Sequence, residues 1–370
     1  MDVAIIGATG SCGRQVAAQL IERRVLRSDA AKDVYLQQQT GAAPSGHETH
    51  RAEARLHLIG HAGGAHEREL WGLRADLRDA FDDDAPTIEV GTDVAATGAS
   101  LVVMMAGATV TSVNADRAAL AAVNRRIFTE TAEALGAMHD TTVVVQSNPV
   151  ELAMHLFGHH VPRHRLLGAA AWSDSLRLRR ELAAELGLSR PMVQAQMWGQ
   201  HGDHLVPIWS RVRARGVSEQ QLADTIGRVR EGRSLRDLPD EIREAKARML
   251  DLVAQGDTLG ALTFVQSRPP DVRAAVKPFF IHFTAGHTTE FATAHAVVDV
   301  VELVTRGVPA VIPAQVIVDG DYPGLAGPIA VPVLTDPGGW SQVVDEPIAP
   351  DEAEALGAAA AAIAAANAAS

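Results

Sequence analysis

The N-terminal stretch from Asp2 to Val25 constrains the chain most. A short apolar run, Asp2 to Ile6, leads straight into Gly7-Ala-Thr-Gly10-Ser-Cys-Gly13 and then into an amphipathic segment from about Arg14 to Val25. Strand, glycine loop and helix in that order form the local context of a dinucleotide site. Gly7 permits a tight turn, Gly10 lets the backbone approach a pyrophosphate, and Gly13 allows the helix to pack closely on the strand. The helix start offers unpaired N–H groups and the positive end of a dipole to phosphate. Thr9, Ser11 and Cys12 share this loop and count with the glycines as candidate cofactor contacts. A tight turn that binds nothing has the same local pattern, so the rest of the chain has to decide.

Val34 to Gln37 reads as a second strand, and the position after it, where an acidic residue would bind the ribose of NAD, is Gln38. An amide can bond a ribose hydroxyl but lacks the carboxylate that repels a 2′-phosphate, which leaves NAD or NADP as the cofactor. Thr40 to His66 reads as a long solvated loop near the adenosine end, where His47, His50 and Arg51 could face a phosphate. Its histidines (His47, His50, His57, His61 and His66) are irregularly spaced and joined by no cysteine, so no metal site is expected. Helical character follows over Glu67 to Ala80, and buried strands over Thr87 to Val90 and Leu101 to Met105. After Ala106-Gly107 a loop of small and polar residues runs to Asp116-Arg117, a candidate lid, before a helix to about Gly136. Thr142 to Gln146 is a further strand, ending at Ser147-Asn148-Pro149. Strands alternating with helices predict a Rossmann-type doubly wound parallel sheet over residues 1–150, followed by an α+β substrate-binding and catalytic domain over 151–370.

In that second part, a strand-like run from Met192 to Trp198 enters Gly199-Gln-His201-Gly202, which presents an imidazole between two glycines. Such a histidine can act as acid or base near neutral pH, or can simply bond backbone in a turn. Asp174 and Arg177 lie three residues apart on one face of a helix predicted over Ser173 to Leu186. At a surface this pair contributes little, and it gains interest only if its face looks onto His201. The Ala-rich stretch Gly357 to Ser370 reads as a fraying terminal helix.

A net charge of -12 without a basic block, and 4% aromatics, speak against a nucleic-acid surface. One cysteine among 370 residues rules out an internal disulfide and a thiolate zinc cluster. No apolar run reaches ~18 residues and no basic leader precedes the first strand, so neither membrane nor export is expected and the protein reads as cytoplasmic.

Together these segments resemble the lactate and malate dehydrogenase family. GATGSCG resembles its cofactor loop, VVMMAG followed by DRAALAAVN its fourth strand, mobile loop and next helix, and QSNPVELAM its SNPV motif. SDSLRLRRELA is similar to its LDSxRFRxxLA helix and GQHGDHLVPIWS to its GEHGDSxVPxWS segment, while GDYPG and VPVLTDPGGWSQVVDEPIAPDEAEAL resemble its last strands and closing helix. The resemblance implies that His201 exchanges a proton with the hydroxyl of a 2-hydroxy acid, that Asp174 orients it, and that Arg177 grips the substrate carboxylate through paired charged hydrogen bonds. It implies that Arg117 polarises the reacting carbonyl and that Asn148 serves both substrate and nicotinamide. Ala106 and Gly107 would flank the cofactor, and Thr111 in the lid and Thr288 in the pocket wall would contact the substrate. Homodimers or homotetramers are the assemblies it implies.

The departures matter as much. The malate branch of the family carries an arginine early in the lid for a second carboxylate, where this chain has Ala108-Thr-Val-Thr111. Gln200 replaces the glutamate usually found before the histidine, and Gly256 to Thr284 is an insertion before the pocket wall. The expected activity is therefore hydride transfer between a nicotinamide cofactor and a 2-hydroxy or 2-oxo acid other than malate. The alternative is a dinucleotide-binding regulatory or scaffold protein of the same fold.

Overall fold

Six short apolar strands running in one direction carry the first half of the molecule. The computed structural model describes residues 2–26, 54–61, 63–82, 85–108, 117–286 and 289–369, without the side chains of 117–121. In chain order it shows β1 (Val3–Ile6), α1 (Ser11–Glu22), β2 (Arg55–Ile59), α2 (Gly64–Phe81), β3 (Thr87–Gly91), β4 (Leu101–Met104), α3 (Arg117–Gly136), β5 (Thr142–Val145), α4 (Val150–Phe157) and β6 (Leu166–Gly168). The strands pair in the parallel order β3-β2-β1-β4-β5-β6. That order reverses direction between β1 and β4, and a crevice opens there beyond the carboxyl ends of the strands.

Both faces of this sheet are covered, which is why its central strands β1 and β4 are apolar throughout and do not alternate. Val3, Ile5, Leu101, Val103 and Val144 point into one core with Val16 and Leu20 of α1. Ala4, Val102, Met104, Val143 and Val145 point into the other with Phe128 of α3 and Phe157 of α4. Each side chain of this size taken fully from water contributes about 1.5–3 kcal/mol, the larger ones most.

The second half extends the sheet with antiparallel strands. It contains α5 (Ala170–Leu186), β7 (Val193–Gln194), β8 (Met197–Gly199), β9 (Leu205–Pro207), β10 (Arg213–Ala214), α6 (Glu219–Arg230), α7 (Leu238–Ala254), α8 (Thr258–Gln266), α9 (Pro270–Ala285), α10 (Glu290–Arg306), β11 (Val311–Asp319), β12 (Ala326–Asp336), β13 (Gly339–Val343) and α11 (Pro350–Ala369). The sheet continues β6-β11-β12-β8-β9 with β13 on the far part of β12. Gln315 of β11 faces Gly168 of β6, and Ala330 of β12 faces Gly199 of β8. The β8–β9 hairpin is thereby fixed to the same sheet as the glycine loop.

One expectation is corrected here. The strand beside β1 is Arg55–Ile59, inside the segment expected to be a loop; the expected strand Val34 to Gln37, together with Gln38, lies outside the described residues. Leu56 and Leu58 are fully buried and give this strand its place, although His57 between them breaks a purely apolar pattern. The C-terminal stretch is helical to Ala369, as expected, and the helix is anchored along its inner face. Leu356, Ala359 and Ile363 are buried, and the fully buried Glu352 accepts hydrogen bonds from the Ser210 N–H at 2.8 Å and hydroxyl at 2.5 Å. The insertion over 256–284 folds as helices α8 and α9, the latter packed on α5 and α7.

Candidate active site

The glycine loop lies at the crevice between β1 and β4. Gly7 has φ +83°, and a Cβ placed on it would come within 2.7 Å of the Ala106 backbone. A Cβ on Gly13 would sit 2.3 Å from the Gly7 carbonyl oxygen, so α1 can start this close to β1 only with glycine there. Gly10 precedes the first residue of α1, and no side chain caps that helix end, whose positive dipole end favours an anionic group. The close backbone of this loop and the positive end of the helix dipole suit the anionic pyrophosphate of a dinucleotide. The position following β2 is Gly60-His61 and carries no acid.

On the far side of the crevice, Asn124 of α3 ties two loops together. Fully buried, it accepts from the Ala108 N–H at 2.6 Å and donates to the carbonyls of Ala108 at 3.0 Å and Asn148 at 2.9 Å. Asn148 itself is exposed at the carboxyl end of β5, just before the cis peptide bond to Pro149. Ala106 lies against Gly7 of the glycine loop, and Asn124 holds Ala108 and Asn148 together at the carboxyl ends of β4 and β5.

The β8–β9 hairpin delivers the histidine. Gly199, at φ +82°, starts the turn, and the Gln200 N–H bonds the His204 carbonyl at 3.1 Å to close it. A side chain at 199 would strain that backbone and meet the His204 oxygen at 2.7 Å. His201 Nδ1 lies 2.7 Å from one carboxylate oxygen of Asp174. The other oxygen accepts from Arg177 at 2.9 Å, and the guanidinium also donates to the Thr289 hydroxyl at 3.0 Å. Asp174 is 7% exposed at its side chain, Arg177 15% and His201 21%, so the cluster is buried but keeps an opening at the imidazole. The helical face shared by Asp174 and Arg177 does look onto His201.

Charge follows from this geometry. Burial alone would push the His201 imidazole down, yet the Asp174 carboxylate, by charge and hydrogen bond, raises it above the ordinary histidine value; Glu151 adds to the rise and Arg177 opposes it. Burial would likewise push Asp174 up, and the His201 and Arg177 partners more than reverse that, holding it below the ordinary carboxylate range. An imidazole with Nδ1 fixed on a carboxylate presents Nε2 to a reacting group.

Other expected residues fare differently. Thr111 and Thr288 lie outside the described residues, as does the side chain of Arg117, which opens α3. Residues not singled out in the sequence also join the cluster. Thr289, one position after Thr288, bonds Arg177, and its hydroxyl lies 3.0 Å from that of Thr293. Lys246 of α7 comes within 2.6 Å of Asp203, two residues past the histidine, and 3.8 Å over the Phe279 ring. A buried lysine on a helix shows no signal in sequence beyond its polar identity. Among the described residues no group of three or more His, Cys, Asp or Glu side chains is arranged to hold a metal ion, and no helix is long and apolar enough to cross a membrane.

A doubly wound sheet with a glycine cradle at its switch point defines a dinucleotide-binding α/β protein, here with a buried histidine–aspartate–arginine cluster formed by the β8–β9 hairpin of the same sheet and helix α5. Residues 1–168 match the family model described as lactate/malate dehydrogenase, NAD binding domain. Over 272 residues the chain is 22% identical to the L-lactate dehydrogenase B chain of Xenopus laevis, covering 72% of this chain and 71% of that one. It is 32% identical over 113 residues to the B chain of Squalus acanthias, covering 30% of this chain and 34% of that one. The chain thus spans about a third of the length of the first curated relatives it matches. Its fold is that of a lactate dehydrogenase from Cryptosporidium parvum complexed with lactic acid and nicotinamide adenine dinucleotide (TM-score 0.71, 20% identity, 98% of this chain and 96% of that one). The malate dehydrogenase of Aeropyrum pernix is similar (TM-score 0.69, 18% identity, 98% and 96%). Residues 1–168 thus match the NAD binding domain of the lactate/malate dehydrogenases, within a fold shared with enzymes of both names.

Proposed function

We propose that the protein interconverts a 2-hydroxy acid and the corresponding 2-oxo acid with a nicotinamide cofactor. The observation that carries this reading is the buried Asp174 carboxylate, with one oxygen 2.7 Å from His201 and the other 2.9 Å from Arg177. One carboxylate thereby orients both the group that would handle the hydroxyl proton and the group that would bind the substrate carboxylate. His201 would take that proton through Nε2 on oxidation and return it on reduction, and Asp174 would stabilise the imidazolium formed. Arg177 would hold C1 of the substrate, with Thr289 steadying the guanidinium and Asn148 bonding the substrate oxygen. Arg117 would polarise the reacting carbonyl, and Thr111 and Thr288 would contact the substrate. A bound nicotinamide supplies or accepts the hydride. The glycine cradle, Ala106 and Gly107 would seat that cofactor.

The cofactor is NAD or NADP. A carboxylate after β2 would repel a 2′-phosphate, and Gly60-His61 has none, so NADPH should serve within about tenfold of NADH in kcat/KM. The favoured substrate is a monocarboxylic 2-oxo acid. Lys246 is engaged by Asp203, and no cation stands among Ala108, Thr109, Val110 and Thr111 to meet a second carboxylate. The Cryptosporidium parvum enzyme, with lactic acid as its ligand, is consistent with a monocarboxylate.

The test is absorbance at the reduced-nicotinamide band while a panel of 2-oxo acids is offered with each cofactor. Turnover of a monocarboxylic acid at least about tenfold above oxaloacetate, lost by about 10³-fold or more in His201→Asn, is the expected result. Cofactor binding without turnover of any acid would favour a non-catalytic dinucleotide-binding role. Full activity in His201→Asn would remove the assigned proton chemistry.

A further inference from the structure

Behind the histidine stands a second carboxylate that the proton chemistry above does not use. Glu151 lies in the first turn of α4, three residues beyond Asn148, and is 3% exposed. One of its oxygens accepts from the backbone N–H of His201 at 2.7 Å. That contact joins residues 50 apart in sequence and crosses from the parallel part of the sheet to the β8–β9 hairpin. The fully buried Gln315 of β11 lies on the other side of the same carboxyl. Its Oε1 accepts from the Ala171 N–H in the first turn of α5 at 3.2 Å, and its amide acts on the Glu151 carboxyl. The helix that begins beside Asn148, the helix that carries Asp174 and Arg177, and the histidine turn therefore meet at Glu151 and Gln315.

We propose that Glu151 is a positioning residue for His201: its buried carboxylate holds the histidine's backbone N–H, and so fixes the imidazole relative to Asn148 and Asp174. A surface glutamate could not do this, because solvent would compete for the N–H and the side chain would keep its rotamer freedom. Buried, the carboxylate is costly unless it is bonded, and three groups meet that need. They are the His201 N–H, the N–H of Glu151 itself at the start of α4, and the field of the Gln315 amide. Burial pushes the Glu151 carboxyl above the ordinary value and these groups draw it back, together with the His201 imidazolium. The imidazole consequently faces Asp174 and Arg177 of α5 on one side and Glu151 of α4 on the other. Asp174 bonds the ring, whereas Glu151 acts on the ring through backbone placement and charge alone.

The kinetic arm of the test rests on the dehydrogenase reading, and the spectroscopic arm does not. Glu151→Gln keeps the side chain's length and an oxygen for the His201 N–H while removing the charge. Glu151→Asp keeps the charge and withdraws it by one methylene. The imidazole of His201 is titrated by nitrogen NMR in histidine-labelled protein, assigned by difference from His201→Asn, and kcat and KM are followed against pH. Glu151→Gln should lower the His201 midpoint by about half a pH unit or more, with kcat held within about threefold at its optimum. Glu151→Asp should leave the midpoint in place and lower kcat about tenfold or more, with KM little changed. An unmoved midpoint in Glu151→Gln, or wild-type kcat in folded Glu151→Asp, would overturn the proposal. Equal losses in both variants with an unmoved midpoint would reduce Glu151 to a structural group. Glu151→Asp is the milder change, so it decides alone if the glutamine variant does not fold. A protein that turns over no 2-oxo acid would refute the dehydrogenase reading and leave the titration arm able to succeed or fail.

Discussion

The glycine loop and the histidine cluster are built on opposite principles. The glycine loop works by what is absent: a missing Cβ at Gly13 lets α1 approach β1, and the positive dipole end of a helix without a side-chain cap favours an anionic group. The histidine side works by what is present, with carboxylates of Asp174 and Glu151, a guanidinium and an imidazole packed out of water and bonded at 2.7–2.9 Å. Backbone recognition tolerates many neighbours as long as nothing intrudes. A buried charge cluster tolerates few changes, because each member is the compensation for burying another. The two sides should therefore fail differently, the cofactor side through steric exclusion and the histidine side through lost chemistry.

The sharpest way to break this contrast is Asp174→Asn. It preserves shape and removes the charge that raises the imidazole and fixes its tautomer, so kcat should fall about 10³-fold or more while cofactor affinity stays near wild type. Steady-state kinetics beside a fluorescence titration with NADH check this, and a fall below tenfold would show that orientation by Asp174 is unimportant. A smaller effect is expected on the other side. Gly13→Ala places a methyl 2.3 Å from the Gly7 carbonyl oxygen, so the loop must shift. Cofactor affinity should drop about tenfold and stability by about 1–3 kcal/mol, with the pH dependence of the remaining activity unchanged. Thermal melting and cofactor titration would read both losses, and unaltered binding would mean that the loop does not seat the cofactor.

The smallest effect is a displacement along the pH axis. The His201 imidazole is held above its ordinary value because Asp174 outweighs burial. Reduction of a 2-oxo acid needs the imidazolium, so its rate should persist above pH 6.5 and fall only as pH rises through the elevated folded value; oxidation should rise over the same interval. The stability from this raised pKa follows the same direction: it is complete below the unfolded histidine value and fades as pH climbs through the folded one. Asp174 has the opposite sign, since its lowered pKa gives stability above the unfolded carboxylate value that is lost on acidification. Rate profiles in both directions and melts across pH 3 to 9 test this, and a limb below pH 6.5 would show that burial outweighs Asp174.

Much of this site was legible in the chain. The glycine loop and the Asp174–Arg177 spacing express local rules: a turn needs small residues, and a helix places residues three apart on one face. Glu151 and Thr289 were missed because their roles come from contacts 50 and 112 residues away in sequence, where local spacing carries no information. The strand beside β1 was missed for a related reason. Val34 to Gln37 satisfies a strand pattern locally, but pairing with β1 belongs to Arg55–Ile59, whose leucines complete a core that only the assembled sheet provides. Likewise, the alanine tail looks weak in isolation and is held by Leu356 and Ile363 against neighbouring elements.

By itself, the sequence determined the doubly wound class and the local geometry of loop and helix, since both depend on residues a few positions apart. It also singled out the histidine between two glycines. Only the tertiary structure decided that this imidazole lies on Asp174, that Arg177 shares the same carboxylate, and that Glu151 holds its backbone from behind. The contacts of His201 with Asp174 and Glu151 are long-range, and the strength of the whole cluster depends on exclusion from water, which exists only once the sheet and its helices have closed around it.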